Sequence, residues 1–231
     1  MNAKVNPVTE RKPIESADEL AALVEELSFI PFLESPVKGF TLRPYVSRER
    51  WFSEGVDGPW EWKGQNIGRY AYGKLFRGYA GFVSREYLPL FISLRRDGYD
   101  FEGFYEDGHA SYKAKRIVDA LAERGPALST ELRRACGFYK GGESGFDAEI
   151  TRLQMSAFVT VAGFEYALDK SGRPYGWGLA RYALVEQVFG EEFVRAAERI
   201  PPEEARARLL ARARELCPEA TQNELERLIK A

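Results

Sequence analysis

Histidine is almost missing from these 231 residues: His109 stands alone. Any mechanism that needs two imidazoles is excluded. Cysteine is nearly as scarce, and Cys136 and Cys217 stand in separate helical contexts without paired spacing. That pattern argues against both a disulfide framework and a zinc site. No apolar run approaches the ~18 residues of a membrane span, and the polar start MNAKVNPVTERKPIE has no hydrophobic signal core, so a soluble cytoplasmic protein is expected. There is no glycine-rich phosphate loop, nucleophile elbow, HExxH or internal repeat. Nucleotide-dependent, zinc and triad chemistries lack support, and neither cofactor nor metal is expected.

A strong charge of one sign is also lacking. The formal net charge is −2, but residues 110–183 hold 11 Lys+Arg against 8 Asp+Glu while the other segments hold 22 against 27. The asymmetry permits a localised contact with phosphates and excludes a basic coat along nucleic acid. His109, beside Gly108, reads as a solvated or capping side chain. Five carboxylates in DGYDFEGFYEDGHA (Asp97, Asp100, Glu102, Glu106, Asp107) raise the question of a metal loop. Their offsets depart from a calcium loop and no glutamate closes a twelve-residue ring, so a solvated acidic connector is expected.

What the chain does have is a patterned stretch from Phe146 to Leu184. Phe146, Ile150, Leu153 and Ala157 fall at i, i+4, i+7 and i+11, one face of a helix. TVAGFEYALDK and YGWGLARYALV follow, β-branched and aromatic, with the turn Ser171-Gly172-Arg173-Pro174 between them. Upstream, SYKAKRIVDALAER and STELRRACG are helical, with Ser129 as N-cap of the second. The order is helix, short extended piece, helix, turn, helix, hairpin, which is the winged-helix arrangement, a helix-turn-helix variant with a β-hairpin wing. The expected fold is α+β: a loose terminus over 1–15, an N-terminal aromatic-rich α+β region over 16–108, a winged helix over 109–189 and a helical tail over 190–231.

Within the first region, the capping box of Ser16 and Glu19 opens a helix with Leu20, Leu23, Val24 and Leu27 on one face. From Phe40 to Val83 the glycine-punctuated aromatic sequence reads as short strands and turns. SREYLPLFISLRRDG is a helix with Ser84 as N-cap. In the tail, Pro201-Pro202 starts a helix that Cys217-Pro218 ends, and Thr221 with Glu224 repeats the capping box. The tail's Leu and Ala stripe packs on the body or on a second copy.

SREYLPLFISLRRDGYD, SYKAKRIVDALAERGPALSTELRR, the RLQM helix and its wing, GPWEWKG and YGWGLARY together resemble the DNA glycosylases of the AlkZ type. Most similar is the group called AlkZ-related proteins, over roughly residues 58 to 195. The resemblance implies tandem winged helices that remove alkylated bases or unhook interstrand crosslinks. It also implies a Gln-x-Gln or Gln-x-Asp motif ahead of SREYLPLF. Counting back from that anchor, the motif positions fall on Leu75 and Arg77, and no such motif lies nearby. Neither residue can activate a water, and an arginine there repels the positive charge that develops on the sugar. Two readings follow. One is a DNA-binding winged-helix protein related to alkylation-repair glycosylases, in which any base excision uses another acid, with Glu61 as candidate. The other is a winged-helix transcriptional regulator or scaffold without catalysis.

The DNA reading names its contacts. Opposite the buried face, the third helix presents Ala148, Thr151, Arg152 and Met155, with Gln154 on a flank; Arg152 either reaches a groove or only pairs with Glu149. At the wing, Lys170 and Arg173 flank Gly172, and Tyr175 can lean on a sugar. Trp60 and Trp62 are candidate walls for a stacked base, with Lys63 and Arg77 on phosphates. If WEWK is a strand, both tryptophans share one side and Glu61 faces away.

Overall fold

The computed structural model describes residues 11–53, 56–168, 170–172 and 174–231, with 167 and 174–177 as backbone only. Helix α1 (Ala17–Leu27) starts as its capping residues require: Ser16 Oγ accepts the Glu19 amide at 3.2 Å, while the Glu19 carboxylate accepts the Glu15 amide at 2.6 Å. Just before it, Ile14 is buried and Arg11 pairs with Glu26 at 2.7 Å, so residues 11–15 are tied down, contrary to the loose terminus expected. Residues 1–10 lie outside the described ones. Ser28, at φ 72°, turns the chain into β1 (Phe29–Pro31). Pro31 causes no loss there, because β1 is an edge strand.

The stretch expected as strands contains two short helices, α2 (Arg48–Phe52) and α3 (Pro59–Trp62). Local chemistry overrides the aromatic bias toward strands. Pro59 stands in the first turn, where its missing N–H is no loss, and the Glu61 carboxylate accepts the Gly58 amide at 3.0 Å. Next come β2 (Tyr70–Phe76) and β3 (Tyr79–Ser84), which pair antiparallel in a sheet of order β1-β3-β2. Ser84 ends β3 and does not cap the following helix; its hydroxyl accepts the Tyr87 amide at 3.3 Å, and α4 runs Leu88–Arg96 with Pro89 in its first turn. The acidic connector contains helix α5 (Phe101–Glu106), capped by Asp100 on the Gly103 amide at 2.8 Å. Its five carboxylates are exposed, as a solvated stretch requires.

The patterned segment follows in the expected order: α6 (Tyr112–Arg124), β4 (Ala127–Leu128), α7 (Ser129–Ala135), α8 (Phe146–Met155), β5 (Val159–Leu168) and β6 (Pro174–Leu184). Its sheet has the order β4-β6-β5, antiparallel throughout. Ser129 is the first residue of α7 and Leu128 its cap, with the Glu131 carboxylate on the Leu128 amide at 3.0 Å. Phe146, Ile150, Leu153 and Ala157 are each 2 % exposed, so the face read from spacing is the buried one. Phe146, Ile150 and Leu153 form one core cluster with Ile117, Leu121 and Phe158, while Ala157 joins the cluster of Phe29, Leu75 and Phe91.

The last elements are α9 (Val185–Phe189), α10 (Glu191–Glu198), α11 (Pro202–Leu216) and α12 (Gln222–Ile229). Leu209, Ala213, Leu225 and Leu228 share a cluster with Phe29, Leu75 and Phe91, which places the tail on its own body. A further cluster joins α1, Trp51, Trp60 and Trp62 to Tyr70, Tyr72 and Val161. Among the described residues no helix is long and apolar enough to cross a membrane.

Candidate nucleic-acid interface

Helix α8 carries the centre of the candidate surface. Arg152 donates to Glu149 at 2.8 Å, and the pair is lopsided: side-chain exposure is 65 % for the arginine and 10 % for the carboxylate. One edge of the guanidinium is therefore held while the rest faces water. Ala148 is exposed, Thr151 and Met155 are half-buried, and the Thr151 hydroxyl donates to the Asp147 carbonyl at 2.6 Å. Gln154 is not on this surface. It is 2 % exposed, its amide nitrogen donates to the Ile150 carbonyl at 2.9 Å, and its Oε1 accepts the Lys74 amide at 3.0 Å. The residue expected as a flanking contact instead fastens α8 to β2.

That junction needs the glycine opposite it. A Cβ at Gly73 would stand 2.7 Å from Gln154 Oε1, closer than such atoms approach. Gly73→Ala is expected to push the amide aside and leave the Lys74 N–H unpaired, at a cost of about 1–2 kcal/mol. Urea unfolding checks the loss, and an unchanged midpoint would show that the contact is dispensable.

The turn after β2 lies beside α8. Leu75, on one of the two motif positions, is buried in the core at 3 % exposure. Arg77, on the other, is exposed at φ 53°, and a Cβ on the adjoining Gly78 would come 3.8 Å from the Thr151 methyl. Exposed Lys74 belongs to the same hairpin. Its charge reaches the start of α8, where the Asp147 carboxyl is held below the usual carboxylate range, first by its 2.5 Å hydrogen bond from Arg133. Exposed Lys74 and Arg77 on the β2–β3 hairpin and exposed Arg152 on α8 thus belong to two elements that pack against each other.

Around α3 the expected pocket is not formed as drawn. Trp62 is fully buried and donates to Asp57 at 2.6 Å, with the Arg50 guanidinium 5.6 Å from its ring. Trp60 is half-buried, donates to the Trp51 carbonyl at 3.3 Å and meets Phe32 edge-on at 5.1 Å. On a helix the two indoles diverge and do not wall a common slot. Glu61 is exposed and serves as the cap described above. Lys63, expected at a pocket mouth, is 7 % exposed and donates to the Trp60 carbonyl. Burial pushes its ammonium down to about 8, against the opposing charge of Glu61.

At the end of the β5–β6 hairpin Lys170 is exposed and Gly172 has φ 79°. Arg173 lies outside the described residues, as does the side chain of Tyr175. A cavity of about 320 Å³ opens between the start of α6 and α8, lined by Phe104, His109, Ser111, Glu149 and Arg152 among others. His109 is exposed and rests against Phe104 at 5.1 Å, while Ser111 caps α6 by accepting the Ala114 amide at 3.0 Å. Sequence reasoning missed this cavity because its walls come from two segments about forty residues apart, and His109 and Arg152 were each read separately.

A family model described as AlkZ related matches residues 14–230. No curated protein and no solved structure matches the chain.

Proposed function

This chain belongs to the AlkZ-related family, and from that premise we propose that it is a DNA-binding protein of DNA repair. In this reading α6 to β6 form a winged helix and α8 is the element that meets the duplex. The observation that carries it is the packing of α8 on the β2–β3 hairpin, two elements that between them expose Lys74, Arg77 and Arg152. Lys170 extends the contact from the hairpin end, and Arg173 joins it by its place in the sequence. Cations in that arrangement fix register on a phosphate backbone. Base removal is outside the proposal: Leu75 is core, Arg77 is cationic, and Glu61 is taken up as the cap of α3.

Duplex affinity measured across a salt series tests it. Each phosphate contact contributes a slope of about −0.9 in log affinity against log salt. Arg152→Gln combined with Lys170→Ala and Arg173→Ala is expected to flatten the slope by about 2–3 units. A slope identical to that of the parent protein would remove α8 and the hairpin from any DNA interface. Tighter binding to alkylated than to intact duplex is the expected preference; selectivity for a base sequence would favour the regulator reading.

A further inference from the structure

Lys63 is a cation in the wrong place for a phosphate contact and in a good place for covalent chemistry. Its Nζ lies 4.2 Å from the Phe164 ring centroid and 5.5 Å from that of Trp60. The hydrogen bond it makes goes to a neutral acceptor, the Trp60 carbonyl, which also accepts the Tyr166 hydroxyl at 3.1 Å. Among the described residues no carboxylate stands within ion-pair distance of it. Burying an ammonium without an acid is costly, and rings offset only part of that cost. Gly64 makes the enclosure possible, since a Cβ there would meet the Phe164 ring at 2.8 Å. Trp60, Phe164 and Tyr166 are themselves only half-buried, so the side chains that cover the amine reach solvent.

We propose that Lys63 is an amine nucleophile for sugar aldehydes, with the open-chain deoxyribose of an abasic site in DNA as its substrate class. The proposal rests on the DNA-binding reading for its macromolecular substrate, though not for its chemistry. A lysine desolvated among apolar groups holds a larger fraction of neutral amine at working pH, which is the form that attacks carbonyls. The Nζ lone pair adds to C1′, the carbonyl oxygen departs as water, and a C=N bond replaces C=O. Loss of the C2′ proton to water then expels the 3′-phosphate with the C3′–O bonding pair. Water hydrolyses the imine and returns the free amine.

The titratable groups around this amine come from three elements. Glu61, with Asp57 on the indole of Trp62, belongs to α3 and its approach; Tyr70 of β2 donates to the Lys63 carbonyl at 3.4 Å; Tyr166 belongs to β5. Burial raises both phenols, so neither charges in the range where the lysine titrates, and Glu61 holds the amine's pKa up. The rate of imine formation is expected to rise with pH to a plateau, half-maximal at about 8.

Cyanoborohydride trapping followed by peptide mapping tests the assignment, with two probes: a duplex carrying one abasic site, and free 2-deoxyribose 5-phosphate. The expected result is a reduced adduct on Lys63, selected from ten lysines, with both probes. Lys63→Arg, which keeps the positive charge over the rings and cannot form an imine, is expected to lose it. No adduct on Lys63 with either probe, or trapping undiminished in the arginine variant, overturns the proposal. An adduct from the free sugar phosphate, in a protein without duplex affinity across the salt series, upholds the amine chemistry and overturns the DNA reading.

Discussion

Replacing Arg96 by alanine is expected to cost about 3–5 kcal/mol of stability. The side chain is 2 % exposed and closes three parts of the fold at once. Its Nη2 and Nε donate to the Ala157 carbonyl at 2.8 and 3.3 Å, its Nη1 donates to Glu186 at 2.6 Å, and its guanidinium lies 4.5 Å from the Phe158 ring centroid. Ala157 is the middle of the three residues between α8 and β5 and has φ 59°, a conformation alanine does not favour, so the carbonyl it presents is held by what bonds to it. Truncation leaves that carbonyl in the core without its donors. Glu186 is 30 % exposed and regains water, which moves the expected value toward the lower end of the range. Arg96→Lys should recover little, because an ammonium cannot reproduce the two-sided fork. Equilibrium denaturation decides the matter: a loss under about 1 kcal/mol would mean that packing alone holds the α8–β5 corner.

Trp62→Ala is the second large effect, about 3–5 kcal/mol by cavity formation, which for a chain of this length lowers Tm by roughly 6–20 °C. The indole is 0 % exposed in the cluster that joins α1 to β2. It is also the partner of Asp57 and the plate beneath Arg50, so its removal loosens the approach to α3 as well as the core. Trp62→Phe keeps part of the volume and loses the N–H, and should fall between the two. Calorimetry on both variants checks the order; equal midpoints for phenylalanine and alanine would assign the effect to the Asp57 bond rather than to packing.

Much of the fold was legible because its signals are local. The spacing of Phe146 to Ala157 buries what it predicts, and the Thr221–Glu224 cap forms with the Glu224 amide on the threonine hydroxyl at 3.3 Å. A reader of the sequence misses α3 because four aromatic-rich residues weigh toward a strand, whereas one proline and one capping glutamate decide the outcome. Gln154 shows the other kind of failure. Its place on the helix wheel is a flank, and the amide that captures it belongs to Lys74, 80 residues earlier. Lys63 is the same case: a charged residue predicts a surface, and only the fold reveals that β5 crosses over it. What spacing cannot convey is the meeting of distant elements, and in this protein the candidate surface is made of such meetings.

The sharing of one core by Phe29 and Leu228 has a consequence for how the protein is born. A ribosome adding ~5–20 residues per second presents α12 tens of seconds after α1 has left it. Through that interval the inner faces of β1 and β2 have no helix from the tail to cover them. The cluster around α8 draws its buried residues from α6 to β5, with Phe101 and Phe104 of α5 packed on it, and can close while synthesis continues. Order of translation and order of completion are thus inverted, with the middle of the chain finished before its beginning. During that wait the uncovered strands are the part of the nascent chain most in need of a chaperone.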